Sequence, residues 1–203
     1  MINKDYKEKD FLNPIGEVIE SSAFNLTIQC HKLYNSPAIG SLIKCGTDTV
    51  VYSIISNIKT QSLDTSRTTI ALAENAFSVE DVYQENPQLH NLLSTSLNTI
   101  VVGYKQNTSI AHEIPSNPPK IHDLAYSCTP NEALLFSETF GFLRMLRSSN
   151  NTHIDDVIVL FIRSTSVHAP NPSQLLLTAG QELARLLKDD AQRLTQLLER
   201  ISL

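Results

Sequence analysis

The chain of 203 residues is 41% hydrophobic and 18% charged, so it has enough apolar side chains for a packed core and is not disordered as a whole. Its net charge of -5 argues against nonspecific nucleic-acid binding, which needs an excess of Lys and Arg. We find no apolar run long enough to span a membrane and no apolar core of a secretory signal. The number of cysteines is odd, which together with the missing signal is typical of a reducing compartment.

Strand patterns dominate the first half of the chain. Residues 1–13 are charged and aperiodic, and they are predicted to form a mobile arm. After them, apolar and polar residues alternate along residues 26–31, and β-branched residues are dense along residues 42–58. A further short strand is predicted at residues 68–72.

The pattern then changes its period. Residues 78–97 carry apolar side chains at helical spacing, with a break at Asn86 and Pro87. Strand character returns at residues 99–105. We therefore interpret residues 14–114 as a small β-barrel domain with a helical insertion.

A proline-rich stretch separates this region from a helical one. Pro115, Pro118 and Pro119 suppress regular structure and indicate a linker, which we predict over residues 115–129. Residues 130–203 are predicted to form a mostly helical C-terminal domain, so the fold class is α+β.

The C-terminal helices have recognisable starts. The apolar spacing predicts helices over residues 130–147, 154–167, 173–188 and 191–201. Thr129 is a candidate N-cap for the first, because Glu132 stands where a capping box requires it. Either Asn171 or Ser173 is a candidate cap for the third helix.

No motif for catalysis or cofactor binding accompanies these elements. The six glycines are isolated, so neither a P-loop nor a dinucleotide fingerprint is present, and we expect no cofactor. The histidines lack the close pairs of metal sites, and we expect no metal. His122 and Asp123 resemble an orienting dyad, but they follow the proline-rich stretch and are interpreted as loop surface; Cys128 with His122 has no supporting motif. We therefore expect no catalytic residue and no enzyme activity.

Two cysteines lie on strands that we predict to be neighbours. Cys30 and Cys45 could form a redox pair there, or they could be two small buried core residues. We favour the second interpretation, because free cysteine is among the most buried residue types.

The third and fourth predicted C-terminal helices offer candidate docking residues. Glu182, Arg185, Lys188 and Arg193 are charged side chains on an amphipathic stretch, which suits either a partner-docking surface or an ordinary packed helix. Six of the arginines are concentrated after residue 140, but nearby carboxylates balance them. We favour interspersed surface ion pairs for these arginines over a nucleic-acid site.

The barrel region resembles a known family, the HAS barrel of HerA-type helicases and of the N-terminal domains of rotary ATP synthase subunits. The similarity rests on residues 16–19 (GEVI), 24–30 (FNLTIQC), 39–44 (IGSLIK) and 51–58 (VYSIISNI). Over nearly its whole length the chain also resembles a cyanobacterial and red-algal-plastid family with this barrel, through residues 86–89 (NPQL), 101–104 (VVGY), 118–122 (PPKIH) and 180–190 (GQELARLLKDD).

This resemblance implies a role in assembly. In HerA and the ATP synthases the barrel forms a crown that holds a hexamer together, while a separate domain hydrolyses ATP. Since no Walker motif follows the barrel here, we expect a non-enzymatic interaction, assembly or accessory subunit of a larger complex, in the cytoplasm or the plastid stroma. Its docking surfaces for a protein partner are expected to be the barrel and the C-terminal helices. The alternatives are an accessory factor in nucleic-acid processing, and a cryptic hydrolase in which His122, Asp123 and a carboxylate converge.

Overall fold

The computed structural model describes residues 13–64, 66, 69–72, 77–106, 109–149 and 151–202. Except for Asn13, the predicted mobile arm at residues 1–13 lies outside this range. Thr68 also lies outside it, and residues 69–72 have no regular structure, so the short strand predicted at residues 68–72 is not observed in its described part.

The N-terminal half folds into an antiparallel β-barrel. Its strands are β1 (Gly16–Ser21), β2 (Asn25–Cys30), β3 (Leu42–Cys45), β4 (Val51–Ser62), β5 (Leu93–Gln106), β6 (Ser109–Ala111) and β7 (Leu124–Ser127). The order is β2–β1–β7–β3–β4–β5, and pairing of β2 with β5 closes the ring, while β6 extends β5 outside it. The predicted barrel followed by helices is confirmed at this level.

Strand β7 lies inside the range that we predicted as a linker. It pairs with β1 at Ala125 and with β3 from Ile43 to Cys45, so the ring is incomplete without it. Pro118 and Pro119 precede this strand and do not interrupt it. Four residues are too few to give a readable alternation, and their pairing with strands far along the chain decides their conformation.

The burial of each strand reflects what covers the outside of the barrel. Strands β1 and β2 alternate between buried and accessible residues, because one face points into the barrel and the other to solvent. The stretch from Val51 to Ile55 in β4 is buried throughout. Its outer face is covered by the C-terminal helices, so alternation is lost there. The barrel interior is filled chiefly by Val18, Leu26, Ile28, Ile43, Val51, Ile55, Leu97 and Val101.

Seven helices occur in the described residues. They are α1 (Val79–Glu85), α2 (Leu89–Leu92), α3 (Pro130–Phe136), α4 (Leu143–Arg147), α5 (Ile154–Ser166), α6 (Pro172–Leu186) and α7 (Ala191–Ile201). Helices α1 and α2 form the predicted insertion between β4 and β5, but β5 already begins at Leu93, so the helical pattern predicted to residue 97 is wrong at its end. Pairing with β4 wins over helical spacing there.

The predicted caps are confirmed at two helices. The Thr129 hydroxyl accepts from the Glu132 backbone N–H, and the Glu132 carboxylate accepts from the Thr129 N–H, which completes the capping box. The Asn171 side chain accepts from the Gln174 N–H and so caps α6.

The single helix predicted over residues 130–147 is instead two short helices. Between α3 and α4 the chain turns at Phe140, which has a positive φ of 49° and a fully buried ring. Burial of this ring compensates for the unfavourable backbone conformation. The apolar spacing alone does not reveal the break, because Phe136, Phe140 and Leu143 fit a continuous helical stripe.

One hydrophobic core joins the barrel and the helices. From the outer face of the barrel, Tyr52 packs on Phe136, with ring centroids 5.2 Å apart. Phe136 then contacts Phe142 at 4.9 Å, and Phe142 contacts Phe161 of α5 at 5.1 Å. We call these four rings the aromatic seam. Because it is continuous, the barrel and the helices are expected to unfold together.

His112, just after β6, fastens the barrel to this seam. Its Nε2–H donates to the Phe136 carbonyl oxygen at 2.9 Å, and its ring lies 4.7 Å from that of Phe136. Arg144 of α4 donates to the His112 carbonyl oxygen at 2.7 Å. Burial holds the pKa of His112 below its ordinary value, with the Arg144 charge lowering it further and the bond to Phe136 opposing the shift.

Replacing Phe142 should weaken both halves of the molecule together. We expect Phe142→Ala to lower the free energy of unfolding by about 3–5 kcal/mol, because it removes a buried ring from the aromatic seam. Phe24→Ala is the control, since Phe24 is 61% exposed, and it should change stability by less than about 0.5 kcal/mol. Urea unfolding followed by far-ultraviolet ellipticity and by tyrosine fluorescence should give superimposable curves. Two separate transitions would contradict the shared core.

The lowered pKa of His112 predicts a pH dependence of stability. The unfolded state, with a pKa near 6.5, takes up a proton more readily than the folded state, so stability is complete above about pH 6.5 and declines as the pH falls through that value. His112→Gln should reduce this decline, measured as the difference between urea midpoints at about pH 7.5 and about pH 5. An equal decline in the variant would show that other groups cause it.

Candidate functional site

The four candidate docking residues of the C-terminal helices do not form one free surface. Arg185 donates to Glu182 one turn away on α6, through Nε at 2.9 Å and Nη2 at 2.6 Å. Arg193 of α7 forms a two-point ion pair with Asp155 of α5. Its Nη2 donates to Oδ1 at 2.6 Å and its Nε donates to Oδ2 at 2.9 Å. Lys188 is exposed and has no ion pair within the described residues.

Within the part of the chain that the structure describes, three of the six arginines in the C-terminal half form ion pairs with carboxylates. In addition to Arg185 and Arg193, Arg200 of α7 pairs with Asp156 at the start of α5. These contacts match the interspersed ion pairs that we favoured from the sequence. The pairs of Arg193 and Arg200 hold α7 against α5, so their first role is structural.

The residues of the proposed hydrolase do not converge. His122 Nδ1 lies 2.6 Å from Glu17 Oε2. Asp123 faces elsewhere, accepting from the Thr47 hydroxyl at 2.7 Å and from the Lys120 N–H at 2.8 Å. The imidazole and the neighbouring carboxylate therefore do not act as a dyad.

The cysteines are core residues. The prediction that Cys30 and Cys45 lie on neighbouring strands is wrong, because β1 and β7 lie between β2 and β3. Both thiols are free and buried inside the barrel, and burial raises the pKa of Cys30 to about 11 and that of Cys45 to about 12. Cys128 is likewise free and buried, on the helical side. Such thiols are protonated and poorly nucleophilic at neutral pH.

A ribbon of two strands extends the sheet beyond the barrel. Strand β3 pairs with β4 only up to Ile54, and β2 pairs with β5 only from Ser96. Pairing of β4 with β5 continues past both limits to Ser62 and Leu93. The described residues of the segment that joins these strands therefore lie beyond the barrel, at the end of a long hairpin.

Exposed apolar side chains are concentrated in this segment. We call them the apolar arm: Leu63, Ile70, Leu72, Phe77, Val79 and Leu92. Phe77 is fully exposed and Val79 is two-thirds exposed. Several exposed apolar side chains in one segment favour an interaction surface, whereas scattered single ones are not informative.

The base of the apolar arm is fixed to the barrel by aromatic contacts. The Tyr83 hydroxyl of α1 donates to the Tyr34 hydroxyl at 2.8 Å, and the two rings meet edge to face at 6.2 Å. The Tyr34 backbone N–H donates to the Thr95 hydroxyl of β5 at 3.0 Å. These contacts hold α1 against the barrel.

Sequence reasoning missed the apolar arm. It predicted a strand at residues 68–72 and used the apolar side chains of residues 78–97 only as evidence for a helix. The available signal was the setting of Ile70, Leu72 and Phe77 among Ser, Thr, Asn and Asp, without a sustained period of either kind. Apolar residues without a periodic partner have no element face on which to be buried.

The described residues show neither a metal site nor a membrane-spanning helix. Within the residues that the structure describes, no three His, Cys, Asp or Glu side chains are grouped to hold a metal ion. None of the described helices is long and apolar enough to cross a membrane. A scan against models of known protein families finds no match, and a search among curated proteins finds none that is significant.

Arg193 should behave as a structural residue. We expect Arg193→Met to lower the free energy of unfolding by about 1 kcal/mol, because it breaks a two-point contact between α7 and α5. Arg185→Met is the matched control, and it should cost about 0.5 kcal/mol or less, since the Arg185–Glu182 pair lies within one helix and is exposed. Chemical denaturation of both variants measures this, and equal effects would contradict the distinction.

Proposed function

We propose that this chain is a non-enzymatic interaction or assembly subunit of a larger complex, and that the apolar arm docks a protein partner. The observation that carries the proposal is the exposure of six large apolar side chains in one segment beyond the barrel. A partner that covered this segment would remove an unfavourable contact between apolar surface and water.

The expected energy of such a contact is substantial. Burying one large apolar side chain contributes about 1.5–3 kcal/mol, and aromatic anchors frequently dominate the energy of an interface. Burial of Phe77 and Val79 would therefore supply a large part of the binding free energy of a typical interface. The attachment of the arm through Tyr34 and Tyr83 lowers the cost of ordering it on binding.

The resemblance to the HAS barrel supports the same proposal. A six-stranded antiparallel ring agrees with a barrel used for assembly. Because a fold does not determine a function, this support is an analogy. On the same analogy we place the protein in the cytoplasm or in the plastid stroma.

The test is a native pull-down of the full chain from its source, followed by mass spectrometry and sizing of the captured complex. Phe77→Ser combined with Val79→Ser should reduce partner recovery by roughly tenfold or more, because two anchors are lost. The matched control is Val167→Ser combined with Leu177→Ser, two exposed apolar residues on the helical side. Recovery of a free monomer from the unmodified chain, or equal losses in both double variants, would contradict the proposal.

The candidate docking residues on the C-terminal helices are tested by point changes rather than by truncation. Deleting these helices would expose the aromatic seam and unfold the chain, so loss of binding would carry no information. Glu182→Ala with Lys188→Ala leaves the core intact. A selective loss of partner recovery in this variant would assign docking to the helices instead of the apolar arm.

A further inference from the structure

A small cleft lies where the barrel meets α5, away from the apolar arm. It is bounded by the loop at residues 37–42, by residues 127–130 after β7, and by the C-terminal end of α5. Its volume is about 190 Å³. The apolar part of its wall is formed by Pro37, Leu42, Pro130, Ala133 and Phe161.

Thr165 is the unusual residue of this wall. It is only 4% exposed, yet no described residue forms a hydrogen bond with its side-chain hydroxyl. Its neighbour Ser164 behaves in the ordinary way, since its hydroxyl donates to the Phe161 carbonyl oxygen at 3.0 Å. Among the described residues, the fully enclosed hydroxyls without a partner are those of Ser53 and Ser149, so the Thr165 hydroxyl is accessible from the cleft and available to a ligand.

Three further polar groups line the same cleft without an internal partner. The hydroxyls of Ser41 and Ser127 and the imidazole of His168 form no side-chain hydrogen bond with the described residues. Together with Thr165 they present four groups that can donate and accept hydrogen bonds. Polar groups that converge on an otherwise apolar wall are the usual composition of a ligand site.

The cleft selects against charge. Its lining contains no Asp, Glu, Lys or Arg among the described residues. The carboxylate of Glu132, which precedes Ala133 of the wall, is engaged by Lys44 and by the Thr129 N–H. Burial keeps the pKa of the Cys128 thiol far above neutrality, so this side chain is uncharged too. A charged ligand would lose its hydration without gaining an opposite charge.

The volume limits the size of the ligand. A water molecule takes about 30 Å³ in the liquid, so the cleft holds a volume of about six waters. Sites for drug-sized ligands run from about 300 to 1,000 Å³, which makes this one too small for a nucleotide or a flavin. It suits a group the size of a single side chain.

We propose that this cleft binds a neutral group that both donates and accepts hydrogen bonds, of the primary carboxamide class. The hydroxyls of Thr165, Ser41 and Ser127 would accept hydrogen bonds from the amide NH₂ and donate to its carbonyl oxygen. The apolar walls would contact the hydrocarbon part of the ligand. The source is either a free small amide or an Asn or Gln side chain of a partner. This site is independent of the apolar arm.

The direct test uses isobutyramide and its charged isostere isobutyrate as probes, followed by amide chemical shifts in NMR titrations of the full chain. We expect isobutyramide to shift residues around Thr165 and Ser41, and isobutyrate to shift them far less. Thr165→Val should weaken isobutyramide binding by roughly two- to tenfold, the worth of one hydrogen bond. Ser164→Ala, which removes a hydroxyl that already has a partner, should leave the affinity unchanged.

Stability measurements separate a binding role from a structural one. Thr165→Val keeps the side-chain shape and breaks no internal hydrogen bond, so its thermal unfolding should match that of the unmodified chain. Equal shifts with both probes, no shift with either, or unchanged isobutyramide affinity in Thr165→Val would overturn the proposal.

The same variant identifies the source of the amide. If Thr165→Val loses isobutyramide binding and also recovers less partner in the pull-down, the group belongs to a partner side chain. If only isobutyramide binding falls, the group belongs to a free small molecule. The Phe77→Ser, Val79→Ser variant should bind isobutyramide normally in either case, so failure of the arm proposal and failure of the cleft proposal give different results.

Discussion

The aromatic seam is the contact on which the rest of the structure depends. Tyr52 on the outside of β4, Phe136 and Phe142 around the turn after α3, and Phe161 on α5 form a continuous row of rings. Without it the outer face of the barrel would expose apolar surface, and the short helices would lack anything to pack on. Because the same rings pack against both the barrel and the helices, these two parts share one hydrophobic core.

Closure of the barrel determines where the free surface lies. Strand β7 arrives late in the chain and fills the gap between β1 and β3, so the ring has no open edge at that side. Strands β4 and β5 are longer than their neighbours and leave the ring as a ribbon. The apolar arm is therefore a consequence of unequal strand length, carried on a rigid base. Loops held by a rigid scaffold are the usual position for recognition.

The distribution of polar groups separates structural from functional candidates. The charged residues that attracted attention in the sequence, Arg185 and Arg193 above all, are occupied by carboxylates of this same chain. The hydroxyls of Thr165, Ser41 and Ser127, which have no internal partner, line the cleft at the end of α5. Recognition by apolar contact and neutral hydrogen bonds fits a chain in which Arg185 and Arg193 are already paired.

The sequence alone determined the elements whose signals are local. The capping box of Thr129 and Glu132, the Asn171 cap, the helix at Ile154–Ser166 and the alternation in β2 depend on neighbours a few residues away, and periodicity reveals them. Tertiary structure decided what depends on distant partners: the strand β7, the turn at Phe140, the order that separates Cys30 from Cys45, the apolar arm and the cleft. The physical reason is that strand pairing and burial join residues far apart in the chain, and such contacts leave no periodic trace in the sequence that carries them.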